Sequence, residues 1–482
     1  LITIFIFALG IVIMGLSFSG KGRNMKSFFA AGGAVPWLMS GLSLFMGFFS
    51  AGTFVVWGSI AYSLGWIAIS IQWTMAIAGF VVGFFIAPRW HKTSALTVAE
   101  YITRRLGVNT QKTYTYLFLF ISLFTTGSFL YPVAKIVEVS TGMPLDLCIL
   151  LLGGFCIVYV AAGGLWAVVS TDVLQFIILT AAVLIVVPLS FGRVGGVVNF
   201  IESIPATYFN LVNGEYTIGF IVAFGVYNTI FLGGNWAYVQ RYASVNSQSS
   251  ARKVGFLFGG LYVVSAVLWM LPPMIYRIVN PSLSTIDAEG AYLMMCKEVL
   301  PAGLLGLMLS GMVFATASSL NATLNISSGV VTNDIFKRLF PQSSDKTLMR
   351  VARISTIIFG LLAIIVALLI PLMGGIVNVV ISVAALTGVP LYLPIIWTLF
   401  SKRQTEYSVI TTTLVSLGAN AFFKFITPLW GFGFNRAEEM IVGVAFPVLC
   451  LIAFELYYKL NHKISHRYVE YQEWEKENNC IK

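Results

Sequence analysis

The stretch ATASSLNATLN, Ala315 to Asn325, sets side-chain oxygens inside a segment whose flanks, GLLGLMLSGMVF and ISSGVV, are almost wholly apolar. Such a segment is expected to be a membrane-buried helix, in which Ser318, Ser319, Asn321, Thr323 and Asn325 have no lipid partner to bond. They must either join neighbouring helices or coordinate something that enters from water. Oxygen donors suit a hard cation, and sodium (Na+) is the ion expected here. Successive helical residues diverge by about 100°, so the hydroxyls of Ser318 and Ser319 share one ion only when it lies against that helix face. The backbone oxygen of Ala315 points along the same face and is a third donor. An unwound segment elsewhere, with carbonyls lacking intrahelical partners, would complete the shell.

Positioning these groups takes a membrane scaffold, and the composition is that of one. Of 482 residues, 58% are hydrophobic and 10% charged, far from the range of soluble globular domains. About thirteen apolar runs approach the roughly 20 residues that span a bilayer. They centre near Ile11, Phe49, Ile77, Phe120, Phe155, Leu179, Phe231, Ser265, Phe314, Leu362, Ala385, Leu414 and Phe446. The expected fold class is an all-α polytopic membrane protein, with the lipid bilayer as its surroundings and the inner cell membrane as its location. One set of alternating loops carries most of the basic residues, among them Lys21, Arg23, Arg89, Lys92, Arg104, Arg105, Arg241, Lys337, Arg338, Lys402 and Arg403. Cytoplasmic retention of Lys and Arg then puts the N-terminus outside and the C-terminus inside. The net charge of +10 is thus a topology signal; with no soluble basic face it gives no reason to expect a nucleic-acid partner, and no obligate protein partner is evident. The first run is followed, not preceded, by its basic cluster and reads as a peripheral helix, not a signal peptide.

Two runs are interrupted. In the second, Gly47 to Gly52 (GFFSAG) sets glycines and a serine in mid-membrane, where each glycine costs up to about 1 kcal/mol relative to alanine. In the seventh, Gly233, Gly234 and Asn235 do the same. Gly-interrupted helices at corresponding places in two halves mark an inverted-repeat transporter with its site at the breaks. The expected organisation is a peripheral helix and turn (1–35), five-helix units at 36–191 and 192–400, two further helices (401–460) and a solvated cytoplasmic tail without chemistry (461–482). LTVAEYITRRLG is expected to be a cytoplasmic surface helix, and the loops VGGVVNFIESIPATYFNLVNGEY and NPSLSTIDAEGAYLMMCKEVLPAG each have room for a short helix. Asp172 lies about one turn inside the sixth run, where a carboxylate is functional by default, unless it only caps a helix start beside Thr171. The scattered cysteines read as packing residues.

With these motifs laid out, the chain resembles the sodium/solute symporters, relatives of the sodium/glucose, sialic acid, proline and pantothenate carriers. GGLWAVVSTDVLQ, Gly163 to Gln175, is similar to that family's signature, ATASSLNATLN to its ion-binding helix, and NWAYVQR, Asn235 to Arg241, is a weaker match. The resemblance implies a LeuT-type core, a 5+5 inverted repeat with two broken helices. It implies a sodium site formed by the backbone oxygens of Met46, Phe49 and Ala315 with the hydroxyls of Ser318 and Ser319. A possible second ion would use Asp172, Ser318 and position 321, but Asn321 and Ala322 stand where the family's hydroxyls would be. Sugar carriers of the family have a Glu in place of Gln72 and a Gln-Glu pair in place of Ala384 and Ala385, before a matching Thr387 and Gly388. Without those groups a hexose would leave hydroxyls unpaired at roughly 1 to 3 kcal/mol each.

What remains to line a solute pocket at the breaks is Ser50, Thr53, Gln72, Trp73, Asn228, Asn235, Trp236 and Thr387, with Trp57 beside them. The tryptophans suit an apolar or aromatic solute or a quaternary ammonium, and equally suit helix packing; half-helix N-termini would suit a carboxylate. The expected function is sodium-coupled symport of a small organic solute by alternating access. An enzyme is not expected, because His91, His462 and His466 have no metal spacing and no nucleophile-base set falls in the membrane. Two alternatives are a solute-sensing receptor that keeps the transporter fold and a proton-coupled carrier using Asp172.

Overall fold

The computed structural model describes residues 35–95, 97–159 and 165–479. The predicted first helix and the Gly163–Gly164 head of the signature motif lie outside the described residues, as do the side chains of Ser318, Asn321 and Asn325. Among the described residues every regular element is helical. The first interrupted run forms α1 (Trp37–Met46) and α2 (Thr53–Leu64), the latter opening in a π-turn over Thr53–Trp57. Then come α3 (Trp66–Lys92), the short α4 (Val98–Leu106), α5 (Val108–Thr141), α6 (Leu145–Tyr159) and α7 (Leu165–Arg193). The second interrupted run forms α8 (Ile218–Gly234) and α9 (Trp236–Ala243), bent by 59°. It is followed by α10 (Gln248–Val279), the short α11 (Ala291–Val299), α12 (Ala302–Val330), α13 (Asp345–Leu369) and α14 (Ile376–Thr398). The chain closes with α15 (Glu406–Ala421), α16 (Arg436–Leu460) and α17 (His466–Asn479).

Among the described residues eight helices are long and apolar enough to cross a membrane, or nine if the bent pair is one span. The other predicted runs among the described residues fall on shorter apolar helices within α1, α2, α6 and α12. Exposed Ile177, Leu184, Leu361, Ile365 and Leu449 give these helices the apolar outer surface that hydrocarbon requires. Both predicted loop helices exist, at Val197–Ser203 and at α11.

The two interrupted helices are held together through their successors. On α3, Gly79 and Gly83 face Gly255 and Gly259 of α10. A Cβ on Gly79 would lie 2.7 Å from the Gly259 nitrogen, and one on Gly255 would lie 2.5 Å from the Gly83 Cα. Two small-x3-small faces let the backbones touch where lipid gives helices no hydrophobic reason to associate. Gly65, at φ +67°, makes the turn into α3, and a side chain there would strike the Tyr208 carbonyl.

Glu289 forms a clasp just before α11. It is 3% exposed and accepts from the Tyr131 hydroxyl of α5 at 2.7 Å and from the Ile376 amide at the start of α14 at 2.9 Å. The neighbouring charges are Lys135 and Glu138 of α5, paired at 2.8 Å. Burial raises the Glu289 carboxyl above the ordinary glutamate value against these bonds and Lys135, with Glu138 adding to the rise.

The C-terminal segment expected to be a solvated tail is instead a docked helix. Tyr468, Tyr471 and Trp474 recur every third residue and so share one face of α17. That face meets α4: the Arg104 guanidinium lies 3.9 Å from the Trp474 ring, Arg105 lies 5.0 Å from the Tyr468 ring, and Tyr101 meets Tyr471 edge-on at 5.9 Å. Arg105, counted above as a loop charge, is 1% exposed and donates to the carbonyls of Ser401 at 3.0 Å and Gln404 at 3.4 Å.

Ending the chain after Ser465 should raise amide hydrogen exchange in α4 while leaving the α3–α10 contact protected; unchanged α4 protection would show the docking to be dispensable. Glu289 predicts a pH effect. Its folded-state pKa is raised, so the stability it contributes is complete below the ordinary glutamate value and is lost as pH rises through the raised one. Acidification from neutral pH should therefore raise the apparent melting temperature of the wild type more than that of Glu289→Gln. Parallel curves for the two proteins would refute that contribution.

Candidate ion and solute site

The site is built on what the first break does with its backbone groups. In a regular helix the Ala51 amide would bond the Gly47 carbonyl and the Thr53 amide the Phe49 carbonyl. Here the Ala51 amide donates instead to the Thr316 hydroxyl of α12 at 3.1 Å, and the Thr53 amide to the Ser50 carbonyl at 3.1 Å. The Thr53 hydroxyl donates to the Phe48 carbonyl. The Phe49 carbonyl is thereby released from its helical donor, while the Phe49 ring, 1% exposed, stacks on Trp269 at 4.7 Å. Met46, the last residue of α1, and Ala315 of α12 are buried as well, and the Ser319 hydroxyl lies 3.4 Å from the Ala315 carbonyl oxygen. The GFFSAG break and the ATASSLNATLN helix are thus in contact through Ala51 and Thr316.

At the second break two of the released carbonyls find side-chain partners. The Trp90 indole donates to the Gly233 carbonyl at 2.6 Å and the Tyr242 hydroxyl to the Leu232 carbonyl at 3.2 Å. Asn235 caps α9, its side-chain oxygen accepting from the Ala237 amide at 3.0 Å, and its side-chain nitrogen reaches the Tyr392 hydroxyl at 3.3 Å. The Leu232 and Gly233 carbonyls are thus occupied by side chains, whereas none of the described residues donates to the Phe49 carbonyl.

Asp172 is more than a helix cap. Its Oδ2 accepts from the Ser43 hydroxyl of α1 at 2.6 Å, and Ser43 in turn accepts from the Arg241 Nε of α9 at 3.4 Å. Arg241, counted by sequence among the loop charges, is buried, and it also donates to the Ala237 carbonyl at 3.1 Å. A carboxylate, a hydroxyl and a guanidinium thus join α7 to the leading half of one broken helix and the trailing half of the other.

The residues proposed for a solute pocket divide. Ser50, Gln72 and Asn228 are buried; Asn228 donates to the Thr74 hydroxyl at 2.8 Å, and the Gln72 side-chain nitrogen has no partner among the described residues. The others are engaged in packing or capping. The Trp73 indole donates to the Val263 carbonyl of α10 at 3.1 Å, Trp236 stacks on Phe118 at 4.8 Å, and Trp57 meets Phe224 edge-on at 5.7 Å. The Thr387 hydroxyl bonds back to Val383 at 2.8 Å, within a π-turn over Ala384–Gly388. Sequence reasoning missed Thr316, Ser43 and the burial of Arg241. Thr316 was legible as one more hydroxyl of the polar stripe, and Ser43 as a neighbour of Ser40 on one face of α1; nothing in the sequence showed that Arg241 turns inward.

Two interrupted helices, the first releasing a backbone acceptor beside a hydroxyl-bearing helix, are those of a secondary transporter of the inverted-repeat kind. The chain belongs to the sodium:solute symporter family, whose model matches residues 28–415. Similar proteins include a sodium/glucose cotransporter of Vibrio parahaemolyticus, 29% identical over 84% of this chain and 81% of the relative. Another is sodium/myo-inositol cotransporter 2 of Sus scrofa, 28% identical over 86% of this chain and 68% of the relative. In fold the chain is similar to a Na+-coupled sialic acid symporter in an outward-open state, with TM-score 0.78 at 21% identity over 94% of this chain and 96% of that one. A nucleobase-cation-symport-1 family transporter aligns with TM-score 0.57 at 15% identity over 94% and 99% of the two chains.

Removing one member of a buried charged network leaves the other uncompensated, at about 3 to 5 kcal/mol. Arg241→Met should therefore lose that order of stability in detergent unfolding, and Asp172→Asn combined with it should recover part of the loss. Additive losses in the double variant would show that the two groups do not act on one another.

Proposed function

We propose that this sodium-coupled symporter holds a single Na+ between the first break and α12, on the backbone oxygens of Met46, Phe49 and Ala315 and the hydroxyls of Ser318 and Ser319. The observation that carries this reading is the release of the Phe49 carbonyl beside α12, where the Ala51 amide is drawn to the Thr316 hydroxyl and the Thr53 amide to the Ser50 carbonyl. A hard cation is the ligand that an uncharged set of oxygens serves. Asp172 is left out of this site. Its carboxylate already shares Ser43 with a buried guanidinium, and Asn321 occupies a place where a second ion would need a hydroxyl.

The solute space is bordered by Ser50, Gln72 and Asn228. The buried Gln72 amide nitrogen without a protein partner favours a small organic solute with a carbonyl or carboxylate acceptor, since buried donors are normally satisfied. Packing of Trp57, Trp73 and Trp236 against other side chains speaks against an aromatic cage for a quaternary ammonium. Ion binding would join the first broken helix to α12 and favour the solute-competent arrangement, and rocking of the two apart would release both. The same proposal includes the inverted units at 36–191 and 192–400, an inner-membrane location, an outside N-terminus and a cytoplasmic C-terminus.

Ser318→Ala and Ser319→Ala should each abolish sodium-stimulated uptake in vesicles while leaving membrane insertion and sodium-free stability unchanged. A panel of carboxylate and carbonyl solutes screened by thermal stabilisation should yield ligands whose effect requires sodium. Sodium dependence like the wild type in both serine variants would remove the site, and solute stabilisation indifferent to sodium would remove the coupling.

A further inference from the structure

We propose that Thr316 is the positioning residue of the ion site: its hydroxyl holds the first break unwound and so keeps the Phe49 carbonyl free for the ion. The inference rests on the sodium site proposed above. The Ser50–Ala51 peptide is pinned at both ends, its amide on the Thr316 hydroxyl at 3.1 Å and its carbonyl by the Thr53 amide at 3.1 Å. A peptide plane fixed in this way leaves only the two Ser50 dihedrals to orient the one before it, which carries the Phe49 carbonyl. Thr316 is itself oriented. A hydroxyl has one proton, and this one goes to the Met312 carbonyl at 2.9 Å, so lone pairs are what Ala51 meets. At 1% exposure no water competes for them.

Thr316 is not a ligand of the ion in this arrangement. It follows Ala315 by one residue and so stands about 100° around α12 from the Ala315 carbonyl, whereas Ser319 returns to the Ala315 face one turn later. The broken helix therefore presents carbonyls to one face of α12 and an amide to the next. Without the hydroxyl, the Ala51 amide is left to its regular helical partner, the Gly47 carbonyl. Rewinding the break would then return the Phe49 carbonyl to the Thr53 amide and take it away from the ion.

The test compares Thr316→Val, which keeps the shape and loses the hydroxyl, with Thr316→Ser, which keeps the hydroxyl, and with Ser319→Ala. Sodium-dependent uptake and sodium-induced thermal stabilisation are read for each. Thr316→Val should raise half-saturating sodium about tenfold, the scale of one buried amide left without its acceptor, with little change in the maximal rate at saturating sodium. Thr316→Ser should behave like the wild type. An unchanged half-saturating concentration in Thr316→Val, with sodium-stimulated uptake lost in Ser319→Ala, overturns the positioning role and leaves the ion site standing. Equal shifts in the valine and serine variants overturn it too, because bulk would then matter and not the hydroxyl. Unaltered sodium dependence in Ser319→Ala as well overturns the site and the positioning role together. If Thr316→Val fails to fold, Thr316→Cys, whose thiol is a poor acceptor, is read by the same criteria.

Discussion

A backbone amide or carbonyl in lipid must find its partner inside the protein, and that requirement decides what each interruption of a helix becomes. At the second break the distant Trp90 indole and the nearby Tyr242 hydroxyl take the Gly233 and Leu232 carbonyls, and Asn235 caps the helix that follows. At the first break the amide of Ala51 and the carbonyl of Phe48 are absorbed by threonines, and the Phe49 carbonyl is released. Two interruptions that look alike as glycine-rich runs therefore differ in which backbone groups they release and in what takes those groups up.

That difference holds only while the broken helices stay in register with their surroundings. The glycine faces of α3 and α10 bring together the helices that follow the two breaks, at a distance where added methyl groups would collide with backbone. Asp172, Ser43 and Arg241 join α7, α1 and α9 at a second level. The clasp at Glu289 and the docking of α17 on α4 add contacts near helix ends, through groups with local partners. Breaks that are weak as helices are thus supported by helices that are strong as packing units.

Much of this was legible in the sequence, for identifiable reasons. Helix positions follow from apolar runs, which report burial directly, and both breaks follow from glycines where leucine or alanine would be cheaper. The contact between GFFSAG and ATASSLNATLN follows from chemistry, since a polar stripe in lipid needs a complement. Side-chain direction was not legible. Trp73 and Trp236 have the composition of a pocket, yet they turn to Val263 and Phe118. Arg241 has the sign of a loop charge, yet the helix after the second break carries it inward to Ser43. The docked face of α17 was encoded in the three-residue spacing of Tyr468, Tyr471 and Trp474, but a charge-rich composition conceals such a spacing.

The energetics limit what each contact at the ion site can do. A membrane potential supplies about 2.3 kcal/mol per charge per 100 mV, and an ion shifts a conformational equilibrium only by its difference in affinity between the two states. If sodium binds there as proposed, the joint between the first break and α12 must be weak without it, or the ion would have nothing to decide. A single neutral hydrogen bond, with a net worth of about 1 kcal/mol, meets that condition, and the Ala51–Thr316 bond is of this kind. A carboxylate–guanidinium contact at the same place would hold the two elements together with or without the ion. The charged network lies instead at Asp172, Ser43 and Arg241, between α7 and the two broken helices, which leaves the joint with α12 for a bound cation to strengthen.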